Sequence, residues 1–216
     1  VTLQRREGGN WVDVWTKMSD RASLCYPKDA AGLEPGQEYS LQVSVVDESE
    51  ETEADVERSV FSLMSGEERQ AADAAIAAVD DLEVDSVTKA LILVEEVYPR
   101  HRLFARGIHE LSGLIDSGNE TANIHRLLGD YYVRTGLELP AVESYVQAVA
   151  LAKAAEELEE ETRATWGLGT VYGRVGKVAQ ARTHLQQAQQ LAIELGDSEL
   201  IESITAELAR VDAAKR

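Results

Sequence analysis

Along the first sixty or so residues apolar and polar positions alternate; beyond Glu67 the apolar ones recur every three or four. Tyr39, Leu41, Val43 and Val45 fall on one side of an extended segment, with Ser40, Gln42 and Ser44 on the other. That is the period-two signature of a half-buried antiparallel strand. Trp11 to Trp15 alternates in the same way, Leu24-Cys25-Tyr26 sits in an apolar strand, and Ser59 to Leu63 reads as the last strand. Gly8-Gly9-Asn10 and Pro35-Gly36 supply turn chemistry. Residues 1–63 are therefore expected to form a small antiparallel β-sheet.

The remainder reads as amphipathic helix throughout. Ala181, Leu185, Ala188, Leu191, Ala192 and Leu195 form one apolar stripe at the 3.6-residue period. Gly196 then offers a left-handed stop, and Asp197-Ser198 can cap the next helix. Eight helices are predicted, over 67–80, 85–98, 102–116, 120–134, 138–155, 159–175, 178–195 and 198–213. Their short connections force neighbours to pack antiparallel. The expected fold class is α+β: a small N-terminal sheet over 1–64, a connecting helix over 65–84, and an all-α helical solenoid over 85–216. Helix 67–80, nearly all alanine and acid, is thin for a core element and suits a bridge.

Internal self-similarity is the strongest signal. Leu128-Gly129-x-x-Tyr132-x-x-x-Gly136 recurs forty residues later as Leu168-Gly169-x-x-Tyr172-x-x-x-Gly176. Each copy is followed by a second helix, Ala141-x-x-x-Tyr145-x-x-Ala148 and then Ala181-x-x-x-Leu185-x-x-Ala188. The glycine and alanine pairs let two helices approach closely, while Gly136 and Gly176 turn the chain between them. These residues resemble the tetratricopeptide repeat. The forty-residue period exceeds the usual thirty-four or so of that repeat, so the helices at the inter-repeat junction should be about one turn longer. A degenerate third copy is expected over 90–97 and 105–115, and helix 198–213 reads as the polar cap that an open solenoid needs.

The N-terminal part, Leu33-x-Pro35-Gly36-x-x-Tyr39-x-Leu41-x-Val43, resembles the fibronectin type III pattern. That resemblance implies a tyrosine hydroxyl tied back to nearby backbone, in a sandwich of about 100 residues. With some 63 residues before the helices, its first two strands are expected to be missing, leaving a sheet edge to be covered. The order of the two parts resembles repeat proteins of cyanobacteria, many of which carry a secretion signal. It implies an extracytoplasmic location, in periplasm or envelope. The chain itself opens at Val1 inside a strand, with no initiator Met or signal peptide, and one unpaired cysteine suits either side of a membrane.

Charge narrows the partners. Asp and Glu number 39 against 21 Lys and Arg, a net charge of −18. That argues against nucleic acid and anionic membrane, both of which reward positive surplus. No apolar run reaches the length of a membrane span. The single Cys25 excludes an internal disulfide framework and any Cys-based zinc site. His101, His109, His125 and His184 sit at no metal-ligand spacing, and no nucleophile elbow, Walker loop or dinucleotide fingerprint occurs. No catalytic set, cofactor or metal is expected, and the protein is read as not an enzyme. Residues 47–57 hold seven acids in eleven and read as a solvated hairpin loop, with a calcium loop as the rival. Five acids between Glu156 and Glu161 read as a solvated helix end.

The repeat resemblance also assigns a concave surface to the first helix of each pair. It implies groove positions Asn123, Arg126, Asp130, Val133 and Arg134, then Arg163, Trp166, Thr170, Gly173 and Arg174. Four arginines on so acidic a chain point to a protein or peptide partner of acidic character, with Trp166 covering an apolar or cationic group. The plainer reading is that those arginines neutralise glutamates on neighbouring helices. The function expected is a non-catalytic interaction scaffold or assembly factor, binding in the groove and at the sheet edge. The alternatives are a linker or structural subunit inside a large photosynthetic or envelope complex, and a small-ligand or calcium-binding envelope domain.

Overall fold

The computed structural model of the chain describes residues 1–18, 26–27, 30, 32–44 and 56–213. Cys25 and most of the acidic run, 47–55, lie outside the described residues. The chain divides into two compact units, Val1–Ala75 and Ile76–Arg216.

In the first unit β1 (Thr2–Glu7), β2 (Asn10–Thr16), β3 (Glu38–Ser44) and β4 (Val56–Ser62) make an antiparallel sheet in the order β2-β1-β3-β4. Gly8 and Gly9 both take positive φ, 56° and 92°, as a two-residue hairpin turn between right-twisted strands requires. Leu3 and Tyr39 are buried, and Tyr39 stacks on its cross-strand neighbour Phe61 with ring centroids 5.7 Å apart. The Glu34 N–H donates to the Tyr39 hydroxyl at 2.8 Å, tying the strand back across the Pro35-Gly36 turn. Strand β4 starts three residues earlier than its apolar pattern suggests, because Val56, Glu57 and Arg58 pair with Ser44, Val43 and Gln42 of β3. The described residues form one sheet, without the second layer that a fibronectin sandwich would have.

Helix α1 (Gly66–Asp80) opens with a reciprocal cap. The Glu68 N–H donates to Ser65 Oγ at 3.2 Å, and the Ser65 N–H to Glu68 Oε2 at 2.8 Å. Ala72, Ile76 and Val79 are its buried stripe, and the division between the two units falls inside it.

The second unit is a succession of antiparallel helices. Asp85 caps α2 (Ser86–Ile92), which runs on through one π-helical turn, Leu93–Val97. Then follow α3 (Phe104–Asp116), α4 (Ala122–Arg134), α5 (Glu138–Ala155), α6 (Leu158–Arg174), α7 (Val178–Leu195) and α8 (Ser198–Ala213). The pairs α4/α5 and α6/α7 are built alike. Gly136 and Gly176 take φ of 75° and 74°, and each turn is closed by the same two bonds. Leu137 N–H donates to Tyr132 O at 2.9 Å and Lys177 N–H to Tyr172 O at 2.8 Å, while each glycine N–H reaches back to residue 133 or 173. Ala141 and Ala181 are wholly buried at the contact with the first helix. Leu185, also fully buried, contributes about 1.5–3 kcal/mol on that account. Leu200, Ile204 and Val211 of α8 close the end of this core over Ala181, Leu185, Ala188 and Ala192.

Candidate binding groove

Helices α4 and α6, the first of successive pairs, lie side by side and present residues four and seven apart along a common face. A cavity of about 400 Å³ opens there. Arg126, Asp130, Val133 and Arg134 line it from α4, and Arg163, Trp166, Gly167 and Thr170 from α6, with Tyr145 of α5 as the floor.

The floor exists because of glycine. A Cβ on Gly129 would stand 2.8 Å from the Tyr145 ring, and one on Gly167 2.5 Å. The phenol is therefore held between α4 and α6 at a distance that only bare backbone permits. Its hydroxyl donates to Asp130 Oδ1 at 2.6 Å. Asp130 Oδ2 accepts from Arg126 Nη1 at 2.9 Å, Arg126 Nε donates to Glu160 Oε2 at 2.7 Å, and Arg126 Nη2 to Asn123 Oδ1 at 2.6 Å. One hydrogen-bonded chain thus links α5, α4 and α6. Burial raises the Asp130 carboxyl, against the Tyr145 hydrogen bond and the Arg126 charge. Burial and the facing Asp130 both push the Tyr145 phenol far above its usual range, so it stays protonated as a donor. Burial alone would lower Arg126; the charges of Asp130 and Glu160 overcome it and raise the guanidinium.

The implied groove positions divide accordingly. Asn123 accepts from Arg126 and lies outside the cavity lining. Arg174 also lies outside it, paired with Glu138 at 3.1 Å. Gly173 faces α8, where a Cβ would meet Val211 Cγ2 at 3.1 Å. Trp166 both lines the cavity and packs against the α7/α8 core, its Nε1 buried without a hydrogen-bond partner among the described residues. Arg163 pairs with Glu159 at 2.9 Å. Arg134 pairs with no carboxylate among the described residues; its guanidinium carbon lies 5.6 Å from the centre of the Phe104 ring on α3.

Two features escaped the sequence pattern. Tyr145 occupies a position that packs in either repeat, and only its neighbour Gly167, immediately before the Leu168-Gly169 doublet, hints that the ring reaches past its own pair. The acids before Ala164 are a solvated helix end only in part: Glu156, Glu157 and Glu159 are exposed, whereas Glu160 and Glu161 are half-buried. Helix α6 begins at Leu158, one turn earlier than the position equivalent to the start of α4. That extra turn carries Glu159 and Glu160, the partners of Arg163 and Arg126, and Glu161, which meets Lys153 at 3.6 Å. With a side chain only 22% exposed, Glu160 is part of the packed structure.

Among the described residues no three His, Cys, Asp or Glu side chains converge as metal ligands, and no helix is long and apolar enough to cross a membrane. Neither a protein-family model nor a curated protein matches the sequence. Solved structures do match in shape. The type III secretion translocator chaperone SycD of Yersinia enterocolitica superposes with a TM-score of 0.53 at 17% identity, over 65% of this chain and 92% of that one. BtubC (BKLC) from P. vanneervenii gives 0.45 at 14% identity, over 69% and 75%. At such identity the likeness to SycD is one of fold. Together with the repeated turns and glycine contacts, it defines a helical-repeat architecture of tetratricopeptide-like kind, preceded in the chain by a four-stranded sheet.

Proposed function

We propose that the protein is a non-catalytic interaction module that holds an extended, acidic segment of a partner protein in the α4/α6 groove. The observation that carries this is the cavity lining: an indole face, a tyrosine floor and the guanidinium of Arg134, which makes no ion pair among the described residues, whereas Arg126 and Arg163 are paired with Glu160 and Glu159. A guanidinium at the edge of a concavity with no ion pair of its own favours an anionic occupant. About 400 Å³ suits a few side chains of an extended segment better than a folded surface. The fold likeness to a translocator chaperone is in keeping with such a role. We read the N-terminal unit, from the Pro35-Gly36 turn and the Tyr39 tie, as fibronectin-like. Its edge strands β2 and β4 are a second place where a strand could add, since neither has an outer neighbour among the described residues.

The test selects binders from a randomised peptide display library on the whole chain, then measures their affinity for two variants. Thr170→Trp fills the cavity without changing its charge, whereas Gln190→Trp makes the same change at an exposed site on α7. A loss of about tenfold or more in the first alone is expected. Equal affinity for both variants would remove the groove from the account.

A further inference from the structure

Resting on that reading, we infer that Arg134 reads the acidic side chain of the partner, that Phe104 positions it, and that the extra turn of α6 withdraws the other two groove arginines from recognition. Arg126 has every nitrogen engaged within the chain, by Glu160, Asp130 and Asn123, and its side chain is only 16% exposed. A carboxylate arriving from outside would have to displace an existing bond there. Arg163 gives both Nε and Nη2 to Glu159 one turn back on the same helix, an exposed pair that offsets its charge less firmly than the network around Arg126. Arg134 makes no ion pair among the described residues, although its charge reaches Asp130 one turn back; it is exposed and borders the same cavity. At the end of α4 it lies over Phe104 of the preceding helix α3, whose ring in turn meets Tyr131 edge-on at 5.9 Å. The aromatic face attracts the cation without consuming its N–H donors, leaving the planar fork to pair with a carboxylate.

The lengthened repeat supplies this division of labour. Glu159 and Glu160 lie in the four residues by which α6 extends beyond the start equivalent to α4. The forty-residue spacing is therefore a specificity feature as well as a structural one: it neutralises Arg126 and Arg163 from within and leaves one guanidinium to face a ligand.

The experiment compares the peptide sequences that the display library yields on five forms of the chain. Wild type is expected to select an acid at one fixed position. Arg134→Gln is expected to lose that preference, with affinity for wild-type-selected peptides falling about tenfold. Phe104→Leu is expected to weaken the preference and Phe104→Tyr to restore it, a rescue that a purely packing role would not single out in the selected residue type. In Glu160→Gln, which removes the charge facing Arg126 Nε while Asp130 and Asn123 stay bonded to it, a second acidic position should appear. An acid preference unchanged in Arg134→Gln would overturn the assignment while leaving the groove intact, and an unchanged consensus in Glu160→Gln would overturn the role given to the extra turn. Failure of the wild-type chain to select any peptide would overturn the groove reading itself and this inference with it.

Discussion

The Tyr145 ring fills the space that a side chain on Gly167 would need: a Cβ there would stand 2.5 Å from Tyr145 Cε1. Tyr145 is already pinned on its other side by Gly129 and by its hydrogen bond to Asp130, so it has nowhere to move. Gly167→Ala should therefore destabilise the fold by about 1–3 kcal/mol, the usual range for overpacking. Urea unfolding of wild type and variant checks this; a change under about 0.5 kcal/mol would mean that the α5/α6 contact is looser than described.

Helix α5 ends on Glu156 in the left-handed region, at φ 58°, where the equivalent position of the next repeat holds Gly196 at φ 73°. A side chain in that conformation carries strain that glycine does not. Glu156→Gly is expected to stabilise the protein by about 0.5–1 kcal/mol despite the larger entropy of the unfolded chain. Unfolding midpoints would show it, and a destabilised variant would contradict the strain argument.

Those two positions also show what the sequence makes legible. The helix ends were readable because Gly136, Gly176 and Gly196 mark left-handed turns that few other residues tolerate, and the repeated Leu-Gly doublets announce where helices meet. Residues on the concave face of α4 and α6 follow from helical periodicity once the repeat is aligned. What periodicity cannot supply is partnership across elements. Glu160 is 34 residues from Arg126 and looks, locally, like any acid at a helix start. Gly173 falls on the groove side by count, yet α8 packs there through Val211. Tyr145 and Leu185 occupy the same repeat position, and only three-dimensional packing against Gly167 makes the first a cavity floor. In the sheet, strand β4 reached back to Val56 because β3 offers a pairing partner, a non-local cause that its own alternation does not contain.

Removing only the phenolic oxygen probes the polar chain. Tyr145→Phe keeps the ring between its glycines and withdraws the donor from Asp130 Oδ1. The Asp130 side chain is 40% exposed, so water can replace part of the bond, and a loss of about 1 kcal/mol is expected. Adding Asp130→Asn in a double-mutant cycle should reveal coupling between the two side chains; strict additivity would show the bond to be idle.

His184 stacks on Tyr172 with centroids 5.4 Å apart, and burial, helped by Lys153, holds its imidazole below the ordinary 6.5. The unfolded chain therefore takes up that proton first. Its contribution to stability is intact above the unfolded value and is lost as the pH falls through 6.5 toward the folded value. An NMR titration of the His184 ring should give a midpoint under 6.5; a midpoint above it would contradict the packing of α7 on α6 described here.

The groove is tested most directly by placing a photo-crosslinking side chain, one site at a time, at Thr170 in the cavity wall, at Gln190 on α7 and at Ser59 on the edge strand β4, and exposing each to a library-selected peptide. Covalent adduct at Thr170, abolished by excess unlabelled peptide and absent from the other two sites, is the predicted result. Adduct at Ser59 or Gln190 with none at Thr170 would place the partner elsewhere and contradict the account.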